Sequence, residues 1–490
     1  MKKIKRIFAA FTAICILTAF MVIPANFAAE ARKLGDADND GSVTVVDATQ
    51  IQRELADFII FDAISERAAD VDCDGSVTIL DATAIQRWLA DFSVPYPIDK
   101  PIDPYADESQ KALDALKARY DAARGDASAD APVLMRSYDT ENFVLSNSAY
   151  TYDNALAAMA FLSNDEKAYA EKILDAFVYA SEHDRYKPGR IRNAYAAGNI
   201  HYVYEGREIA ALPGWWDYSL NQWCEDPSQI GCNVGNTSYA VLAMLQYDAV
   251  CESDRYLPTA KALMEWILDE CTDGTDGFTA GYQGSESDKD AVLKYKSTEH
   301  NIDAYAAFKQ LYAVTGEKTY LDAAESALRF INSMYDSEKG LFYVGTDEMG
   351  GLNKSVIVLD AQVWNAMALG DIFISYTAAL DLVDSMKLPD GGYPFCQENK
   401  NGGWWAEGTA FTALMFLERG EGAKFIAAMD RLCSIQLDSG LFPAATVNHL
   451  STGIYFDDGS PWEYSTDTHI APTAWFILAS SGFDPYRFNR

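Results

Sequence analysis

Asp36-Ala-Asp-Asn-Asp-Gly-Ser-Val-Thr-Val-Val-Asp47 and Asp70-Val-Asp-Cys-Asp-Gly-Ser-Val-Thr-Ile-Leu-Asp81 are one twelve-residue segment written twice. Carboxylates occupy positions 1, 3, 5 and 12: Asp36, Asp38, Asp40 and Asp47, then Asp70, Asp72, Asp74 and Asp81. Alternate positions of a tight loop turn their oxygens toward one point, and calcium, a hard cation, takes six to eight oxygens from such a loop. Gly41 and Gly75 stand at position 6, where the sharp turn favours a residue without Cβ. Ser42 and Ser76 follow as donors of backbone carbonyls, and Thr44 and Thr78 hold the ninth, often water-mediated position. Asp closes each loop where Glu is usual, which shortens its bidentate reach. One such loop reads equally as a solvated turn. Two in register, each opening a helix, predict two bound calcium ions.

The segments that follow repeat as well: Ala48-Thr-Gln-Ile-Gln-Arg-Glu-Leu-Ala-Asp57 and Ala82-Thr-Ala-Ile-Gln-Arg-Trp-Leu-Ala-Asp91. Each unit is a loop plus the helix after it, half of an ordinary EF-hand. Residues 34–93 thus resemble type I dockerins. The resemblance implies docking onto cohesin domains of a scaffold protein. The family's recognition positions fall on Val45, Val46, Gln52 and Arg53, and on Ile79, Leu80, Gln86 and Arg87. Many dockerins carry hydroxyl residues where Val45-Val46 and Ile79-Leu80 stand. The halves are nearly interchangeable, so either can face the partner. About sixty residues make a meagre core, so metal is expected to supply much of the folding free energy. Pro95, Pro97, Pro101 and Pro104 then predict a stiff, extended linker over 94–105.

From 106 to 490 two kinds of helix alternate. One is apolar nearly all round and rich in small residues, as in Tyr152-Asp-Asn-Ala-Leu-Ala-Ala-Met-Ala-Phe-Leu162 and Asp360-Ala-Gln-Val-Trp-Asn-Ala-Met-Ala-Leu369. Further examples start near 238, 302, 408 and 472. A helix of this kind is buried on all sides. The other kind is amphipathic, near 107–123, 165–182, 257–271, 318–333, 372–386 and 421–436. Five of these run into a Gly-containing turn with apolar or aromatic residues soon after, such as Phe278, Leu341-Phe342, Tyr393 and Leu441-Phe442. Repeats of tens of residues mark toroids or arrays. The fold class predicted is mainly α: a small two-loop calcium-binding module, then an (α/α)6 toroid, with an open α-solenoid as the alternative. That organisation resembles the six-hairpin glycosidases and the lyases and sugar epimerases that share their barrel. It implies a carbohydrate-active enzyme, on architecture alone.

In such a toroid polar residues at the starts of buried helices line the site. Glu299, His300 and Asp303 open one helix, with Glu299 and Asp303 four apart on one face. Glu407 follows Trp404-Trp405, and Asp153 and Asp360 open two more. Glycoside hydrolysis needs two carboxyl groups, one protonated and one acting as base or nucleophile. Apolar walls raise a carboxyl's pKa, so Glu407 is the candidate acid, Asp153 or Asp360 its partner, and Glu299 next in line. The plainer readings are that Asp360 caps its helix and that Glu299 and His300 form a structural pair. Trp215, Trp216, Trp404, Trp405 and Trp462, with His300, are candidate sugar-binding residues. A polysaccharide lyase, for which His201-Tyr202 and His300 supply candidate bases, and a non-catalytic glycan-binding subunit are the alternatives. No cofactor is evident in this module.

Residues 1–31 read as an export signal: Lys2, Lys3, Lys5 and Arg6, an apolar run over 7–24, and Ala29-Glu30-Ala31 as a cleavage candidate. A membrane anchor is the competing reading; with the signal removed, the mature chain is expected outside the cell with no membrane span. Acidic residues outnumber basic ones 72 to 39, a formal charge of -33, which excludes nucleic acid and anionic membranes as partners. The cysteines show no regular spacing; Cys224 and Cys232 flank a loop and are candidates for a bridge.

Overall fold

The computed structural model describes residues 33–61, 63–72, 76–96, 98–99, 105–142, 145–284, 292–399, 402–455 and 459–488. The export-signal reading of 1–31, Asp74 and Gly75 of the second loop, and the prolines 97, 101 and 104 lie outside the described residues.

The first module is built on α1 (Val45–Glu54), a short α2 (Ala63–Ala69) and α3 (Ile79–Leu89), with α1 packed on α3. The short helix, absent from the sequence reading, leads into the second loop. Thr44 and Thr78 cap α1 and α3 in extended conformation, and Asp47 and Asp81 close the capping box from the third helical position. Ala48, Ile51, Ala82 and Ile85 meet between the helices, with Val43, Val71 and Ile98 around them. Ile98 belongs to this core, and Asp99 receives Lys33 at 2.8 Å. The chain expected to run as an open linker therefore first returns to the module.

The second module is a closed ring. The inner helices are α5 (Thr151–Leu162), α7 (Val234–Val250), α9 (Thr298–Thr315), α11 (Asp360–Leu369), α13 (Ala406–Glu418) and α15 (Ile470–Ser481). Each packs on the next, and α15 packs back on α5, which makes a toroid rather than an open solenoid. Their Ala-rich surfaces let neighbours approach, and all ten residues of α11 are buried. The outer helices are α4 (Ala106–Arg124), α6 (Lys167–Glu182), α8 (Leu257–Glu270), α10 (Lys318–Ser333), α12 (Ala378–Met386) and α14 (Gly422–Cys433). Each buries one stripe: in α10, Tyr320, Ala323, Ala324, Ala327 and Ile331. The fifth outer helix starts later than its amphipathic pattern suggests, because 370–376 winds as a 3₁₀ turn. No single helix among the described residues is long and apolar enough to cross a membrane.

A repeated polar clamp ties helix to loop. Asn154 accepts from Met135 N–H at 2.8 Å and donates to its carbonyl at 3.0 Å. Asn301 does the same to Phe278, and Gln362 to Phe342. Thr409 accepts from Tyr393 N–H and Thr473 from Phe442 N–H. The aromatic returns noted after the Gly turns are thus held by the first turns of the inner helices. A buried backbone group without a partner costs about 1–3 kcal/mol. Asn301→Leu removes both partners of Phe278 and is expected to lower stability by about 2–5 kcal/mol, read as a lower denaturant midpoint at unchanged slope.

Long connections run from outer to inner helices: 125–150, 183–233, 271–297, 334–359, 387–405 and 434–469. Those from inner to outer helices are short. All six inner N-termini therefore open onto one loop-built face, where their dipoles favour negative charge.

Candidate active site

At that face the first turns of α5, α9, α11 and α13 bring Asp153, Glu299, Asp360 and Glu407 together, with Asp303 one turn deeper. Asp153, Asp303, Asp360 and Glu407 are buried, while Glu299 keeps part of its surface open. Burial pushes Glu407 up to about 8, reinforced by Asp153 and Asp360 and opposed by a Tyr152 hydrogen bond. Burial raises Asp360 to about 7. It holds Glu299 well above the carboxylate range, with Asp360, Asp303 and Glu407 adding to it. Upward-shifted neighbouring acids of this kind cluster at functional sites.

Glu407 is held by a relay. Trp475 Nε1 donates to the Tyr152 hydroxyl at 2.9 Å, which donates to Glu407 Oε1 at 2.5 Å. Asp153 Oδ2 is hydrogen-bonded to His469 Nε2 at 2.9 Å, and His469 stacks on Tyr138 at 3.9 Å. Burial raises the Tyr464 hydroxyl, and Glu407, Asp153, Glu299 and Asp360 raise it further. Asp303 is tied to the floor: Tyr486, from the C-terminal segment, donates to its Oδ1 at 3.0 Å and meets the Tyr239 hydroxyl at 2.7 Å.

His300 follows Glu299 in the first turn of α9, and burial alone lowers it to about 4, so it is neutral near pH 7. Its ring occupies the space a side chain at position 235 would fill: a Cβ on Gly235 would meet His300 Cδ2 at 2.5 Å. Asp360 is the first helical residue of α11 and not its cap, which is Leu359.

The tryptophans divide. Trp404 is fully buried under Arg431, and Trp405, nearly so, stacks on Tyr464 at 5.6 Å. Trp404 is therefore core, contrary to expectation: Gly392 leaves room for its indole. Trp405 forms wall with Phe395 and Phe411. Trp462 is partly exposed beside Phe395. Trp215 and Trp216 are exposed on a hairpin where Trp216 faces Trp223 across the strands. His201 lies on the neighbouring hairpin, 3.8 Å from Glu208. Cys224 and Cys232 are not bonded to each other; Cys224 pairs across a hairpin with Trp215, whereas Cys232 is buried. Tyr152, His469, Tyr464 and Trp475 were not singled out as reactive-site residues in the sequence. Tyr152 precedes Asp153, Tyr464 lies two residues after Trp462, Trp475 sits in a helix read only as apolar, and His469 stands just ahead of that helix.

In the first module the carboxylates of Asp36, Asp38 and Asp40 cluster, as do those of Asp70, Asp72 and Asp81. Burial raises Asp36 and Asp38, and neighbouring carboxylates raise them further. Gly41 takes φ 86, the left-handed turn expected at position 6. Asp47 instead receives the N–H groups of Asp38 and Thr44, and the Thr44 hydroxyl accepts from Val46 N–H. Thr78 and Asp81 repeat that capping. The two threonine hydroxyls are thus spent on the helix starts rather than pointed at the loop centres. Val45, Val46, Gln52, Arg53, Ile79, Leu80, Gln86 and Arg87 are all exposed.

Residues 34–90 match the dockerin type I domain family. No curated protein matches the chain. Among solved structures, cellobiose 2-epimerase from Bacillus thermoamylovorans is similar at TM-score 0.53 and 14% identity, over 77% of this chain and 99% of that one. A sugar epimerase from a ruminal bacterium gives 0.53 at 13%, over 77% and 99%. An alpha-amylase from Clostridium perfringens gives 0.51 at 13%, over 77% and 98%. These likenesses place the second module in the (α/α)6 toroid fold.

Proposed function

We propose that the toroid hydrolyses glycosidic bonds of a plant polysaccharide and that the dockerin carries it to a cohesin on an extracellular, cellulosome-type scaffold. The observation that carries the reading is Glu407, a buried carboxyl pushed up to about 8 and oriented by the Trp475–Tyr152 relay. Tyr152 occupies Oε1, so the acid proton sits on Oε2, from which it passes to the leaving glycosidic oxygen. Asp153, oriented by His469, takes the proton of the attacking water, and Glu299 and Asp360, whose burial favours the protonated form, offer hydrogen bonds to the sugar hydroxyls. Neutral His300 offers hydrogen bonds to sugar hydroxyls, with Trp405 and Trp462 as stacking surfaces and Trp215 and Trp216 farther out on their hairpin.

The domain plan that goes with this is a leader over 1–31, a dockerin over 34–99 that includes the returning Ile98 and Asp99, a short connection and a toroid over 106–490. The acidic clusters fit calcium, since crowded carboxylates need a cation. Asp36, Asp38 and Asp40 would hold one ion, and Asp70, Asp72 and Asp81 the other, with the Ser42 and Ser76 carbonyls completing the sets and Asp74 added by the loop's sequence. Bound calcium supplies the positive charge that lets both loops close. The exposed Val45-Val46 and Ile79-Leu80 faces, with Gln52, Arg53, Gln86 and Arg87, are the cohesin surfaces.

The pH profile tests the catalytic assignment. A general acid must carry its proton, so kcat/KM is expected to fall tenfold per pH unit above an alkaline limb near pH 8. In Glu407→Asp the limb should move with the acid. A profile flat through pH 9 would remove Glu407 from the acid role.

A further inference from the structure

We propose that His183, His201 and Glu208 form a site for a divalent transition metal of the zinc type, which pins the 201–210 hairpin to the end of α6. The site shares no residue with the carboxylate cluster and does not depend on what the toroid cleaves. His183 is the C-cap of α6, and the hairpin pairs His201–Tyr204 with Arg207–Ala210. His201 stands opposite Ala210 and Glu208 opposite Val203, so strand alternation sets His201 and Glu208 on one face as diagonal neighbours. Two contacts already seat the hairpin on α6. Ala210 N–H donates to the His183 carbonyl at 2.8 Å, and the Tyr179 hydroxyl donates to the Ile209 carbonyl at 3.3 Å.

The three side chains converge on one carboxylate. His183 Nε2 lies 3.8 Å from Glu208 Oε2, and His201 Nε2 lies 3.8 Å from Glu208 Oε1. Both distances are too long for hydrogen bonds. Around a tetrahedral zinc with nitrogen and oxygen ligands at about 2.0–2.1 Å, neighbouring ligand atoms stand about 3.3–3.4 Å apart. Two of the three ligand–ligand edges are therefore within about half an ångström of the coordinated value. His201, whose side chain is 39% exposed, closes the third edge by turning toward His183.

The tautomer of His183 suits a ligand. Its Nδ1 lies 3.0 Å from the Tyr179 carbonyl, which only accepts, so Nδ1 carries the hydrogen and the neutral ring turns its Nε2 lone pair toward Glu208. Metal-binding imidazoles are oriented by this kind of bond on the far nitrogen. The Tyr179 ring stacks on His183 at 4.1 Å and fixes the plane of the imidazole, with His201 5.9 Å from the same ring. A lone pair facing a carboxylate repels it, and a cation between them turns that repulsion into two bonds. Two imidazoles and one carboxylate are a zinc-type ligand set, with a fourth position left for water, whereas calcium takes oxygens alone.

The test is calorimetric titration of zinc chloride into the full chain held in saturating calcium, so that the dockerin loops are filled. Zinc should bind with a Kd in the micromolar range or below. His201→Ala and Glu208→Gln should each weaken that binding by at least about tenfold, since losing even an outer-shell partner costs about 10–100-fold. Both residues are exposed on the hairpin, and the amide at 208 keeps the size of the side chain, so the variants stay folded. Zinc should also raise the toroid's melting temperature in wild type and leave it unmoved in Glu208→Gln. X-ray absorption of the zinc-loaded chain should show nitrogen and oxygen neighbours at about 2.0–2.1 Å. Sulfur neighbours near about 2.3 Å would put the ion on cysteines and overturn the proposal. Absence of zinc binding, or binding untouched by both substitutions, would overturn it equally.

Discussion

Glu407→Gln is expected to reduce turnover by about 10²–10⁴-fold, the usual contribution of a general acid, while the protein stays folded and still binds glycan. The amide keeps the size of the side chain and an oxygen for the Tyr152 hydroxyl, and it lacks only the transferable proton. Stability should move the other way. Folded Glu407 holds its proton up to about 8 against an ordinary 4.5, so between those values the folded state binds a proton that the unfolded chain releases. Stability then falls as pH rises through that window. The amide escapes this loss, so the variant should melt at the same temperature as wild type near pH 5 and a few degrees higher at pH 8. Full activity in the variant would move the acid elsewhere, with Glu299 the next candidate, and unfolding would make Glu407 structural.

Calcium removal is expected to unfold the dockerin and abolish cohesin binding while leaving the toroid intact. The module buries few apolar side chains, chiefly Ala48, Ile51, Ala82, Ile85 and Ile98, whereas its loops bring Asp36, Asp38 and Asp40 together. Binding at about 1,000 times Kd adds roughly 4 kcal/mol, comparable to all that so small a core supplies. Chelator should erase one thermal transition and leave the toroid's in place. Calorimetric titration of the chelator-treated chain should return two ions. A stoichiometry near zero, or cohesin binding retained in chelator, would contradict the assignment.

The repeated loops were legible because calcium ligation fixes residue type and spacing together. The inner helices were legible because burial on every side leaves no polar stripe, and the six starts near 152, 238, 302, 360, 408 and 472 lie within a few residues of the observed helices. Ring closure was less so: the contact of α15 with α5 joins segments more than three hundred residues apart, and nothing local encodes it. The clamps at Asn154, Asn301 and Gln362 were hidden because a lone amide in an apolar helix has no pattern of its own until its partner strand is placed. Trp404 misled for a related reason. Its neighbour Glu407 opens the site, but the indole turns back under Arg431, a choice made by packing against Gly392. The Tyr152–Glu407 contact, between the first and fifth inner helices, likewise exists only once the ring is closed.

The most direct test is the chemistry of the product. The full chain, wild type and Glu407→Gln, is incubated with xylan, β-glucan, mannan, pectin and cellulose, and both new reducing ends and unsaturated uronates are measured. Wild type should release reducing ends from at least one neutral polysaccharide, with no unsaturated product, and Glu407→Gln should release about 10²–10⁴-fold less. Unsaturated product from pectin, or equal release by the two proteins, would contradict a hydrolase built on Glu407.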